Sequence, residues 1–350
     1  MRILQWFDDR LPVTPVVDFF RKKSVPRHKH SIWYYFGGLT LFFFGIQIIT
    51  GILLALYYKP SPELAYESVR TIVNDVPHGW LIRSVHSWSA NLMVGTLFVH
   101  MFSAFLMKAY RKPREVMWIS GVLLLLLVLG FGFTGYLLPW DTTAYFATLI
   151  GTEVPKTMPF VGDLGVSILK GGSEIGVETL TRMYAIHIII LPLTALVIVT
   201  FHLLVNQILG SSIPIGTEEH GPPMRFFPNF LYRDLITWLI GLAALIVLAT
   251  MLPWGLGEKA DPLASAPEGI KPEWYFLPLY QTLKFIPANV LSINGELLVN
   301  LAVGAGIGMW LMIPFLDRRA HKGQSGKLFT VLGIVLIAYL CLTIFLAWTS

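Results

Sequence analysis

An all-α integral membrane bundle of seven transmembrane helices is the fold that this sequence predicts. Three observations predict it. Of the 350 residues, 55% are hydrophobic and only 13% are charged, about half the charged share of a soluble domain. The mean hydropathy is +0.64. The apolar residues also fall into seven blocks, each long enough to cross a hydrocarbon core about 30 Å thick.

The blocks lie at roughly 32–57, 79–107, 115–138, 183–208, 234–253, 295–316 and 328–348. They are numbered as the first to the seventh span. The N-terminal segment and the connections after the second, fourth and sixth spans carry 17 Lys and Arg, against nine in the other connections. Acidic residues sort the opposite way, eight against 13. The positive-inside rule therefore puts the N-terminus in the cytoplasm and the C-terminus on the outer side of a bacterial-type cytoplasmic membrane. The net charge of +5 is a topology signal and points to no nucleic acid.

Residues 1–31 hold seven basic and three acidic residues and no long apolar core, so no cleavable signal peptide is expected. Within them, "ILQWFDDRLPVTPVVDFFRK" mixes aromatic and charged residues as a short amphipathic helix lying against membrane lipids would. The single cysteine, Cys341, excludes an intrachain disulfide, a Cys-x-x-Cys redox pair and a Cys-x-x-Cys-His haem attachment. Three parts follow: a four-helix part with the surface helix (1–209), a cytoplasmic linker (210–233) and a three-helix part (234–350). Two outer connections, about 139–182 and 254–294, are long, and long loops in a compact bundle are usually functional. The first of them is expected to form short helices across the outer face.

The second span carries His86 and His100, and the fourth carries His187 and His202. An isolated intramembrane histidine is usually a polar contact between helices. Here the spacing is informative. Fourteen residues of helix rise about 21 Å and make close to four turns, so His86 and His100 share a face at two depths. His187 and His202, fifteen apart, do nearly the same, with about 60° of extra rotation that a bend at Pro192 could absorb. Both helices run from outside to inside, which pairs His86 with His187 at the outer level and His100 with His202 at the inner level. Such pairs supply both axial ligands of two non-covalent b-type haems, making the four-helix part a dihaem core.

The first and third spans repeat the same interval with glycine, at Gly37 and Gly51 and at Gly121 and Gly135. Glycine gives clearance where a flat ring approaches the backbone. Arg83 and Arg182, at the outer ends of the histidine helices, are candidates to pair with haem propionates. The stretch "KPEWYFLPLYQ" precedes the sixth span. A quinol that loses two electrons also loses two protons, and a half-buried carboxylate can take one. Glu273 is that candidate, with Pro272 in its loop and Trp274 and Tyr275 shaping an aromatic slot. "GYLLPW" (135–140) adds Tyr136 at the same level. Taken alone, Pro-Glu-Trp-Tyr also fits an interfacial aromatic belt with one solvated acid.

With these motifs in hand, the sequence resembles cytochrome b of the quinol:cytochrome c oxidoreductases over nearly its whole length. The resemblance rests on the histidine pairs, the four glycines, "GYLLPW", "TLTRMYAIH" and "PEWY". Through the fourth span it is most similar to the split, photosynthetic form, including "WFDDRL", "GWLIRSVHSWSA" and "KPRE". Residues 225–320 resemble that form's separate three-helix subunit, fused here, and the eighth helix of the respiratory form has no counterpart. The resemblance implies quinol oxidation at the outer face, with one electron going to a Rieske iron–sulfur partner. The other would pass from the outer haem to the inner haem and on to a quinone near the cytoplasmic face, with proton translocation. It also implies a c-type cytochrome subunit or soluble acceptor, and a homodimer. The photosynthetic form attaches a third haem through a cysteine where Tyr35 stands, so no covalent haem is expected here. It has arginines where Ser87 and Gln207 stand. Arg233 and Asp234 resemble a Lys-Asp pair at the inner quinone site of the respiratory form.

Two other functions share some of these features. A dihaem b-type anchor of another quinone-linked dehydrogenase would keep the histidines without needing the outer Glu-Trp-Tyr loop. A proton or metal transporter would use intramembrane histidines without haem. "GAGIG" (304–308) lies inside an apolar span with no preceding strand, so small-residue helix packing is expected of it rather than nucleotide binding.

Overall fold

The structure is a computed structural model that describes residues 2–11, 13–160, 162–324 and 326–349. Among these, seven helices are long and apolar enough to span a membrane: Ser31–Ala55, Gly79–Leu106, Glu115–Tyr136, Val177–Leu209, Phe226–Met251, Gly295–His321 and Lys327–Thr349. All seven expected spans are present. The fourth begins earlier than expected because the amphipathic turn "VETLTRMYA" runs straight into the apolar stretch, burying Leu180 and Met183. The fifth also begins earlier, at Phe226 rather than at 234. Charges had marked its expected start, but Arg233 points outward and Asp234 faces a cavity, so the helix continues through both.

That shortens the linker to 210–225, and the linker is not loose. Ser24–Val25 pairs antiparallel with Met224–Arg225, and Phe20 stacks on Phe226 at 5.8 Å. The N-terminal segment forms two helices, Arg2–Asp8 and Val13–Lys22, where one was expected. The Asp8 carboxylate accepts from the Thr14 backbone N–H at 2.7 Å and so caps the second helix. Trp6, Phe7, Val16 and Phe19 are exposed.

The core runs through both halves of the chain. Phe43, Met93, Leu97, Val122, Leu245 and Ile313 belong to one buried cluster, so the three-helix part is packed onto the four-helix part. The third connection forms helices Thr142–Glu153 and Gly162–Lys170, as expected. The fifth holds a helix at Leu277–Phe285, which its proline content had hidden. The two connections are tied together: Thr142 donates to the Glu258 carbonyl at 2.9 Å, and Ala260 to that of Trp140 at 3.1 Å. This brings the Glu273 loop beside "GYLLPW".

Candidate functional site

Each of the four glycines lies against one of the four imidazoles. A methyl group built on Gly37 would sit 3.0 Å from His100 Cε1, on Gly51 3.4 Å from His86, on Gly121 3.4 Å from His202, and on Gly135 2.6 Å from His187. Each of the four glycines therefore leaves room for an imidazole ring. The first span backs the second, and the third backs the fourth. The pairs also face each other: His86 and His187 are electrostatic neighbours, and so are His100 and His202. His100 and His202 share a cavity of about 420 Å³.

A π turn relieves the register mismatch on the fourth span. Ile186–Ile190 is a π turn, in which the Leu191 N–H bonds the Ile186 carbonyl five residues back. A π turn holds one residue more than an α turn. Fifteen residues then turn about as fourteen would, which removes the extra rotation between His187 and His202 and matches their phase to that of His86 and His100.

Three hydroxyls fix the imidazoles. His86 Nδ1 lies 2.8 Å from Thr50 Oγ1, His202 Nδ1 2.9 Å from Ser120 Oγ, and His187 Nδ1 3.1 Å from Thr134 Oγ1. Each hydroxyl donates its own hydrogen to a carbonyl of its helix: Ile46, Met117 and Gly130 respectively. Its lone pairs must then accept from Nδ1–H, which leaves Nε2 deprotonated and free as a metal ligand. Sequence reading missed these residues, although a signal was there. In "TG", "SG" and "TG" the hydroxyl residue directly precedes the cradle glycine. At the fourth position Phe36 precedes Gly37.

Among the described residues, no group of three or more His, Cys, Asp or Glu side chains gathers around a point. Paired imidazoles, three of them with Nε2 left unprotonated, and glycine behind each ring suit an iron macrocycle rather than a bare ion. The residues present fit b-type haem.

The two arginines are engaged elsewhere. Arg83 donates to the Trp254 and Gly255 carbonyls at 2.7 and 3.0 Å. Arg182 donates to those of Ser167 and Ile168 at 2.8 and 2.9 Å, at the C-terminal end of a short helix.

Glu273, Tyr136 and Pro272 line a second cavity of about 350 Å³ together with Phe133 and Phe276. Burial pushes the Glu273 carboxyl above its ordinary range. Trp274 and Tyr275 do not form the slot as expected. Trp274 donates from Nε1 to Asn91 Oδ1 at 2.7 Å, pinning the loop to the second span, and Tyr275 packs its ring against Gly132. Aromatic walls come instead from Phe133 and Phe276. The stretch "FGFTGY" (131–136) serves both sites. Phe131, Thr134 and Gly135 meet His187, whereas Gly132 meets Tyr275 and Phe133 and Tyr136 line the cavity. Helical periodicity sets the two triplets on different faces.

Toward the N-terminal side, Asp234 lines the 420 Å³ cavity and presses its carboxylate on Gly38, while Oδ1 has no hydrogen-bond partner. Lys23 bonds Gln207 on another wall. Arg233 does not line this cavity and lies beside Tyr35, which stacks on Phe230 at 4.9 Å. In "GAGIG", Gly304 lines the Glu273 cavity, where a methyl group built on it would sit 3.9 Å from Met158 Cε, and one built on Gly306 or Gly308 would meet no described atom of another element within 4 Å. Among the described residues no neighbouring helix packs closely on Gly306 or Gly308, where small-residue helix packing was expected.

Residues 21–210 match the family model described as Cytochrome b/b6/petB, and residues 259–350 match Cytochrome b(C-terminal)/b6/petD. A cytochrome bc complex cytochrome b subunit from Chlorobaculum thiosulfatiphilum is 53% identical over 339 residues, covering 96% of this chain and 78% of its own. Cytochrome b6 from Gloeobacter violaceus is 44% identical over 214 residues, 61% of this chain and 99% of its own. A solved chain titled "Hyperthermophilic respiratory Complex III" superposes with a TM-score of 0.79 at 28% identity, covering 98% of this chain and 97% of that one.

Proposed function

Because the chain belongs to the cytochrome b/b6 family, as the cytochrome b subunit of a bc-type quinol:acceptor oxidoreductase, we propose that it couples quinol oxidation on one membrane face to quinone reduction on the other. The N-terminus lies in the cytoplasm in this reading, and the Glu273 cavity opens on the outer half of the bilayer. Two non-covalent b haems would be held by His86 with His187 and by His100 with His202. When bound, they supply a one-electron relay between the two faces.

The remaining work belongs to this chain's residues. The Glu273 carboxylate takes a proton from quinol bound beside Tyr136. Its raised affinity for protons, caused by burial, suits a base that must hold a proton within an apolar pocket. Pro272 shapes the loop, and Trp274 and Tyr275 hold its position against the second and third spans. The quinol's two electrons part, one to a Rieske iron–sulfur partner and the other inward. A c-type cytochrome or soluble acceptor lies beyond the Rieske protein, and the complex is a homodimer. The inward electron moves against the membrane potential, at about 2.3 kcal/mol per 100 mV for a full crossing. The second quinone is reduced in the cavity lined by Asp234, with Arg233 near its rim, and protons enter from the cytoplasm. Arg83 and Arg182 are close enough to the outer level to stiffen it, through the backbone bonds that they make.

The observation that carries this reading is the third span's six-residue stretch, one face of which holds His187 while the other lines the Glu273 cavity. Such a wall sets a quinol next to an electron acceptor. The test is Glu273→Gln in the purified complex. Quinol oxidation should fall about a hundredfold, the usual worth of a positioned base, with haem content unchanged. Parental rates in that variant would refute the assignment.

A further inference from the structure

We infer that His28 and Tyr34 form a proton relay from the cytoplasmic side into the cavity lined by Asp234, handing protons to a quinone that is reduced there. The inference rests on the reading of that cavity as the inner quinone site. Tyr34 and Ser212 line the cavity. The Tyr34 hydroxyl donates to the Ser212 carbonyl at 2.7 Å, and His28 Nε2 lies 2.5 Å from the same hydroxyl oxygen. His28 Nδ1 accepts from the His30 backbone N–H at 3.1 Å, so the ring's hydrogen sits on Nε2 and is donated to Tyr34. One chain of polar hydrogens therefore runs from the imidazole through the phenol to the cavity wall.

The neighbouring wall offers protons little passage. Val25 and Phe226 line it with apolar side chains, the backbone of Ser24–Val25 is paired with that of Met224–Arg225, and Lys23 is held by Gln207. His28 stands behind Tyr34 and is 6% exposed. Beyond it lies the exposed pair Glu219 and His220, where the His220 N–H bonds the Arg27 carbonyl at 2.7 Å. Burial holds the His28 imidazole below its ordinary value, with His30 and His220 adding to the effect and Glu219 opposing it. The ring is thus neutral near pH 7 and can take a proton on one nitrogen while releasing one from the other. Arg111 and Arg114 are electrostatic neighbours of Tyr34 and favour negative charge on its oxygen while the hydrogen is away. Reducing the quinone takes two electrons, which arrive by the proposed relay, and two protons. For each proton, the Tyr34 hydroxyl hydrogen moves to the reduced quinone oxygen, the His28 Nε2 hydrogen moves to the Tyr34 oxygen, and a cytoplasmic proton binds Nδ1. Turning the ring over returns a hydrogen to Nε2.

The experiment follows reoxidation of chemically reduced b haems in the purified whole complex after mixing with a water-soluble quinone, with Glu273→Gln as the parent so that the outer cavity contributes least. Tyr34→Phe and His28→Ala should each slow reoxidation about a hundredfold, the worth of a positioned proton donor. The double variant should be no slower than either single one, since both residues act in one chain. Added imidazole should restore His28→Ala and not Tyr34→Phe. With ferricyanide, which takes an electron and no proton, every variant should match the parent; slowing there as well would mean damage to the haems and would overturn the relay. Parental rates with quinone in either single variant, additive losses in the double, or no restoration by imidazole would overturn the relay alone. Should His28→Ala fail to assemble, Tyr34→Phe, which keeps the ring, decides the matter by its quinone and ferricyanide rates. A parent whose haems the quinone does not reoxidise would overturn the reading of the cavity and the relay with it.

Discussion

At the scale of single residues, the four glycines are graded by how closely each is approached. A methyl on Gly135 would stand 2.6 Å from His187, a distance that forces the ring to move, whereas Gly51 and Gly121 leave 3.4 Å. Gly135→Ala should therefore displace or lose the outer haem, and Gly51→Ala should bind haem nearly as the parent does. Visible spectra of the two variants check this, and equal haem loss would contradict the packing. Thr134→Val removes the acceptor that fixes His187 Nδ1–H. Partners of this kind are worth about ten- to a hundredfold in ligand affinity, so that variant should release the outer haem more readily in a dilution assay. The Glu273 carboxyl offers a pH test. Its raised value means that the working carboxylate is lost as pH falls through a point above the ordinary carboxylate range. Quinol oxidation by the parent should show that acid limb, and Glu273→Gln should lose it. The pairing of the four imidazoles was legible because the 14-residue interval is written in the sequence. The hydroxyls were not, because a serine or threonine in a span is ordinary until the imidazole it touches is known. The orientation of Trp274 was also hidden, since its partner, Asn91, lies 183 residues away in the chain.

At the scale of elements, the fourth span is the one whose regularity the sequence misstates. Counting residues gives a 15-residue interval, and only the π turn at Ile186–Ile190 shows that it behaves as fourteen. Deleting Ile189 should therefore relax that turn to α-helix and leave both histidines in phase, with both haems retained. Inserting an alanine after Gly95 in the second span turns everything beyond it by about 100° and should cost one haem. Haem-to-protein ratios distinguish these outcomes, and haem loss on the deletion would contradict the π-turn account. Span existence was readable from apolar length. The early start of the fifth span was not, because Arg233 and Asp234 look like a boundary until the cavity behind Asp234 is seen. The helix Leu277–Phe285 was obscured by the prolines of its connection, of which Pro278 sits at the helix's N-terminal end, where a missing N–H costs nothing.

At the scale of the whole molecule, the two parts are joined by more than their linker. Near the N-terminal face, Tyr110 donates to Asp317 Oδ2 at 2.7 Å, and Lys108 pairs with the same carboxylate at 3.3 Å. Lys108 and Asp317 are 4% and 2% exposed. Removing one partner of a buried pair costs about 3–5 kcal/mol. Lys108→Met should accordingly lower the thermal midpoint, and Lys108→Met with Asp317→Leu should recover much of it; a double variant worse than the sum would contradict the pairing. This contact joins residues some 200 apart, which is why composition and periodicity gave the two parts but not their docking. The proposed electron path depends on two iron porphyrins at two depths between the second and fourth spans. A potentiometric titration of the purified protein at the b-haem absorption band tests that most directly. Two components of equal amplitude are predicted, one vanishing in His100→Ala or His202→Ala and the other in His86→Ala or His187→Ala. A single component in the parent, or loss of the same component in all four variants, would contradict the account.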